Sequence, residues 1–87
     1  MKIIKIGALW CSGCLLTNKA IKKVKEEYSD LEIVELDVDF DEEECKKYNY
    51  GDTLPVILFE KNDKEIHRLV GEINYDELKK CIECLIK

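Results

Sequence analysis

Proline is almost missing: Pro55 is the only one, alongside four glycines and a single histidine, His67. A chain this poor in proline and glycine is neither a collagen-like repeat nor a low-complexity linker. Long apolar runs are missing too. None approaches the ~18 residues of a membrane span, so no membrane association is expected. Lys2 and Lys5 interrupt the apolar start from Met1 to Leu9, which reads as a strand and not as the core of an export signal. Positive charge is outnumbered, with 14 Lys+Arg against 19 Asp+Glu and a formal charge of −5. That balance leaves no broad basic face for a phosphate backbone, so nucleic acid is not an expected partner.

What is present fits one small domain over residues 1–87. Hydrophobic residues make up 46%, enough for a core. Charged residues make up 38%, against a typical share of ~25%, so the surface is densely charged. The unusual count is five cysteines: Cys11, Cys14, Cys45, Cys81 and Cys84. An odd number without an export signal argues against a secreted disulfide scaffold. A reducing cytoplasm, with catalytic, metal-binding or plain buried thiols, is the expected setting.

Lys2 to Ala8, with Ile3, Ile4 and Ile6, predicts a strand. From Ser12 to Tyr28, Leu16, Ala20, Val24 and Tyr28 recur every fourth residue with Leu15 and Ile21 alongside, which predicts an amphipathic helix. Leu31 to Val38 alternates apolar and acidic residues as a second strand. Asp41 to Tyr48 is a short charged helix. Pro55 opens the buried-looking strand Val56 to Phe59, and Asn62-Asp63 turns it into a fourth strand, Glu65 to Val70. Gly71 interrupts the chain before a last helix, Asn74 to Lys87, with Asn74 as N-cap and Glu77 three residues on. The order β-α-β-α-β-β-α implies a parallel pair joined by a right-handed crossover. A hairpin adds antiparallel strands, giving an α/β fold with a four-stranded mixed sheet covered by three helices.

The sequence Trp10-Cys11-Ser12-Gly13-Cys14 falls where the first strand gives way to the first helix. A helix N-terminus leaves N–H groups unpaired and carries about half a positive charge. A thiolate at Cys11 would be stabilised there and ionise below the free value of about 8.5. The thiolate is the nucleophile of disulfide exchange, and Cys14, one turn further in, is placed to attack a mixed disulfide at Cys11. Later in the chain Thr53-Leu54-Pro55 precedes the third strand. Base rates alone favour a trans bond before Pro55.

The element order, Trp10-Cys-x-x-Cys, Thr53-Leu54-Pro55 and Gly71 before the last helix together resemble the thioredoxin superfamily, over essentially the whole chain. The chain looks like a trimmed, glutaredoxin-length form of the minimal thioredoxin fold, without the extra N-terminal strand and helix. The resemblance implies a cis Pro55 beside the cysteine pair, a Leu54 backbone that pairs with an extended substrate, and Trp10 and Gly71 in the same groove. It implies a thiol-disulfide oxidoreductase, with Cys11 attacking and Cys14 resolving, that needs no cofactor and no metal. The partners it implies are disulfide-containing proteins or small molecules and an external thiol reductase, with the chain acting as a monomer. Two departures stand out. The central dipeptide is Ser12-Gly13, where thioredoxin has Gly-Pro. Lys5 stands where the family carries a buried aspartate, and Glu35 aligns with the family's partner lysine, which suggests a pair with exchanged ends and a proton relay behind Cys14. Against that stands an ordinary cross-strand attraction of ~0.2–1 kcal/mol.

Other motifs have plainer readings. Cys81 and Cys84 form a second C-x-x-C late in a helix, where the first is expected as a small buried hydrophobe. Cys45 is expected to be structural or a spare thiol. The run from Asp37 to Glu44 lacks the glycine and spacing of a calcium loop and reads as a solvated helix start. The alternative function is a small carrier that holds Cu(I) or Zn on Cys11 and Cys14, since soft thiolates suit both ions.

Overall fold

The computed structural model describes residues 1–8, 14–51 and 53–86. The elements are β1 (Lys2–Gly7), α1 (Cys14–Glu27), β2 (Glu32–Asp37), α2 (Glu42–Lys47), β3 (Val56–Lys61), β4 (Lys64–Val70) and α3 (Tyr75–Ile86). They form one four-stranded sheet in the order β2-β1-β3-β4. β1 runs parallel to β2 and antiparallel to β3, and β3 and β4 are the antiparallel hairpin. The predicted order, mixed sheet and three helices are all present.

Burial explains which strands are central. Strands covered on both faces read as continuous apolar runs rather than alternating ones. Ile3, Ile4 and Ile6 of β1 and Val56, Ile57, Leu58 and Phe59 of β3 are all fully buried. On one face Ile3, Ile57 and Phe59 pack with Ala20, Ile21 and Val24 of α1 and Leu78 and Ile82 of α3. On the other, Ile4, Ile6, Val56 and Leu58 pack with Cys45 of α2. Each large side chain so buried contributes about 1.5–3 kcal/mol. The edge strands β2 and β4 keep charged residues and partial exposure.

The local signals hold in detail. Asn62 and Asp63 both take positive φ, at 55° and 64°, as a tight hairpin turn requires. Asn74 accepts a hydrogen bond from the Glu77 N–H through Oδ1 at 2.9 Å, so it caps α3. Arg68 of β4 donates to the carbonyls of Asn49 and Tyr48 at 2.8 and 2.7 Å and pairs with Glu65, pinning the segment after α2 to the sheet.

One expected stripe is displaced. The apolar repeat predicts Leu15 and Leu16 on the inner face of α1, yet they are 68% and 41% exposed. The buried residues of α1 are Cys14, Thr17, Ala20, Ile21 and Val24. Thr17 belongs to the core because its hydroxyl has a partner there: Oγ1 accepts from the Ile73 N–H at 3.2 Å and donates to the Ile73 carbonyl at 3.3 Å. A buried polar group is tolerated when it is hydrogen-bonded. This contact fastens α1 to the segment that leads into α3.

Thr17→Val keeps the volume and removes the hydroxyl. It should cost about 1–3 kcal/mol by leaving buried backbone groups of Ile73 without that partner, read as a lower urea midpoint at unchanged slope. An unchanged midpoint would show that the tie contributes nothing to stability.

Candidate active site

Strand register gathers four segments at one end of the sheet. Ile6 lies opposite Val56, Val56 opposite Val70, and Gly7 beside Asp37. The chain leaving β1 toward Cys14, the Leu54-Pro55 segment entering β3, Gly71 leaving β4 and the turn after β2 therefore share that end. The Leu54–Pro55 bond is cis, as the resemblance implies and base rates do not. The Gly71 N–H donates to the Pro55 carbonyl at 2.8 Å. Gly71 has φ +95°, and a methyl group added to it would meet nothing within 4 Å. A side chain is thus disfavoured there by backbone conformation and not by space.

Trp10 and Cys11 lie outside the described residues. Cys14 is the first described residue of α1 and is 2% exposed. Its surroundings are set by Gly7, a residue that belongs to none of the sequence motifs. A methyl group on Gly7 would come within 3.0 Å of Cys14 Sγ and 3.1 Å of Lys5 Nζ. A glycine inside a strand often marks such a close approach, and its place in an isoleucine-rich strand is the one sequence signal for it. Lys5 is 8% exposed and shares the helix-covered face of β1 with Ile3 and Gly7.

For Lys5 and Glu35 the sequence leaves two readings, a pair behind Cys14 and an ordinary cross-strand attraction. The two are register partners on adjacent strands. Glu35, however, pairs with Lys25 of α1 at 3.3 Å, with both side chains nearly half exposed. β2 is an edge strand, so its carboxylate turns outward to a partner that costs little desolvation. An exposed pair of this kind contributes ~0–1 kcal/mol. Among the described residues Lys5 has no ion pair with a carboxylate.

A cleft of about 530 Å³ opens between α1 and the end of β2, with Lys5, Gly7 and Cys14 in its wall. Its far side is acidic. Asp37 accepts from the N–H groups of Asp39 and Phe40, and the Asp37 N–H donates to Asp41 Oδ2 at 3.0 Å, so these carboxylates also organise the turn into α2.

The remaining cysteines sit elsewhere. Cys45 is fully buried against β1 and β3. Burial, together with the Asp41, Asp37 and Glu44 carboxylates, pushes its thiol above the ordinary cysteine range. Cys81 packs against the α1–α3 core but is only half-buried, less than the buried position expected, and Cys84 is exposed. Burial and the neighbouring Cys84 push the Cys81 thiol up. Among the described residues no three His, Cys, Asp or Glu side chains converge on a point that could hold a metal ion. None of the helices among them is long and apolar enough to cross a membrane.

The family model for thioredoxin matches residues 1–84. The chain belongs to the thioredoxin family. It is 31% identical to thioredoxin H2 of Arabidopsis thaliana over 83 residues, 95% of this chain and 61% of that protein. It is 33% identical to thioredoxin of Mycoplasma genitalium over 69 residues, 79% of this chain and 67% of that one. In three dimensions it is similar to the X-ray structure of Fasciola hepatica thioredoxin. The TM-score is 0.85 at 28% identity, covering 95% of this chain and 78% of that one. The chain spans less than two thirds of the length of the thioredoxin H proteins it matches.

Two measurements test this packing, one beside Cys14 and one at the remaining cysteines. Gly7→Val should clash with Cys14 and Lys5 and cost about 1–3 kcal/mol as overpacking, with a lower urea midpoint than wild type. A midpoint equal to wild type would mean the contact is looser than described. In timed alkylation of the native chain near pH 7, the raised Cys45 ionisation and its full burial keep the thiol protonated and shielded. Cys45 should therefore react at least about tenfold more slowly than exposed Cys84, read peptide by peptide by mass spectrometry. Equal rates would contradict the burial.

Proposed function

We propose that this thioredoxin-family chain is a thiol-disulfide oxidoreductase working through a Cys11–Cys14 couple. The observation that carries the reading is the position of Cys14, buried at the described start of α1, at the sheet end that also holds cis Leu54–Pro55 and Gly71. A resolving sulfur needs shelter from solvent oxidants and a nearby leading sulfur to attack, and the two-residue spacing to Cys11 supplies the second.

In the forward direction the Cys11 thiolate attacks a substrate disulfide. A Cys11–substrate bond forms, and one substrate sulfur leaves as a thiolate. Cys14, deprotonated, then attacks Cys11 sulfur and expels the second substrate sulfur, which takes a proton from water. Two electrons have passed to the substrate, and the pair is left as a disulfide. A low-molecular-weight thiol or a thiol reductase returns it to the dithiol. The backbone of Leu54 offers hydrogen bonds to an extended substrate segment, and exposed Val70, next to Gly71, offers apolar surface beside it. Disulfide-containing proteins are the favoured substrates, a monomer the favoured state, and a reducing compartment the favoured setting.

The test is trapping. Cys14→Ser should hold a mixed disulfide with a protein substrate, seen as a thiol-sensitive adduct by mass. Cys11→Ser should form no adduct and lose at least about a hundredfold of disulfide reductase activity. Equal activity in Cys11→Ser and wild type would overturn the reading.

A further inference from the structure

Lys5 is 8% exposed as a residue and has no ion pair among the described residues, and a buried charge is costly unless it is matched. The cost falls if an anion forms beside it. Lys5 Nζ and Cys14 Sγ each lie about 3 Å from one point above Gly7. They therefore cannot be further apart than those two short distances laid end to end. No Cβ stands between them, because residue 7 is glycine. The start of α1 adds its positive end at Cys14. From the other elements, Lys22 and Lys25 of α1, Glu35 and Asp37 of β2 and Asp41 before α2 face the same cleft. Of the three carboxylates, Glu35 is engaged by Lys25, and Asp37 and Asp41 accept backbone N–H groups. None of them forms an ion pair with Lys5.

We propose that Lys5 is a positioning residue that favours Cys14 as its thiolate. It thereby speeds release of the mixed disulfide and biases the couple toward the dithiol. The inference deepens the oxidoreductase reading and rests on it. The step is the second displacement. Cys14 loses its proton to water in the cleft, attacks Cys11 sulfur, and the Cys11–substrate bond breaks as the Cys11–Cys14 bond forms. Lys5 takes no part in the making or breaking of bonds and acts by charge alone. An opposite charge at this range favours an ionised group by about 1–3 pH units, and the acidic far wall places the effect here near the lower end. Rate gains less than population does, because a more stable thiolate is a weaker nucleophile with a slope of about 0.4–0.5. A tenfold change in thiolate thus becomes about a threefold change in rate.

The experiment has two arms. In the first, Cys11→Ala chains carrying Lys5, Lys5→Met, Lys5→Gln or Lys5→Arg are alkylated across pH, and the Cys14 peptide is followed by mass so that Cys45, Cys81 and Cys84 do not interfere. The midpoint should rise by about one pH unit in both neutral variants and return to the Lys5 value in Lys5→Arg. In the second, the same Lys5 variants with Cys11 intact should resolve a glutathione mixed disulfide about threefold more slowly below both midpoints. At a pH between the two midpoints or below them, their equilibrium with glutathione should shift toward the disulfide by up to about tenfold, or about 30 mV. Equal midpoints in Lys5 and both neutral variants would overturn the role of Lys5 while leaving the oxidoreductase reading intact. A wild-type chain that reduces no disulfide would overturn that reading, whatever the midpoints show.

Discussion

The burial of β1 on both faces is the constraint on which the rest of the molecule depends. A strand alternates its side chains, so a central strand must satisfy two different covers at once. Ile4 and Ile6 meet the α2 side, while Ile3, Lys5 and Gly7 meet α1. Any residue on the second set lies beneath the helix that carries Cys14. The first polar and the first side-chain-free positions of β1 on that face are therefore part of the site by geometry, although neither belongs to a cysteine motif.

Two small tethers keep that geometry in place. Thr17 joins α1 to Ile73, and Gly71 joins the end of β4 to Pro55. Both act at the same end of the sheet. Together they connect the helix bearing Cys14 to the loop bearing the cis proline through the core, so the two halves of the groove are held by one packed unit. Further stability comes from the α1–α3 packing over Ile57 and Phe59 and from the cluster around Cys45 on the opposite face.

Much of this is legible in the residues. Element order follows from isoleucine-rich strands, charged helix faces and the Asn62-Asp63 turn, because each rests on local periodicity or backbone preference. The N-cap at Asn74 follows for the same reason. Tertiary choices are less visible. Leu16 has the spacing of a core residue and Thr17 does not, since hydrophobicity alone does not show that a hydroxyl will find a backbone partner 56 residues away. Lys5 and Glu35 do lie side by side on adjacent strands. Glu35 nevertheless pairs with Lys25, because its strand is an edge and Lys5's is central, and strand order is a long-range outcome. Gly7 is hard to see in the sequence because a single glycine carries no pattern of its own.

The two open rims of the sheet have a further consequence. Unpaired strand edges invite a second chain to add on, and natural proteins discourage this with charge. β2 carries Glu32, Glu35 and Asp37 among six residues, and β4 carries Lys64, Glu65 and Arg68 among seven. Two copies meeting β2 to β2 would bring carboxylates together, adding to the repulsion of a net charge of −5. This small protein thus carries its own guard against fibre growth, one that acts only within the roughly 8 Å reach of charge in physiological salt.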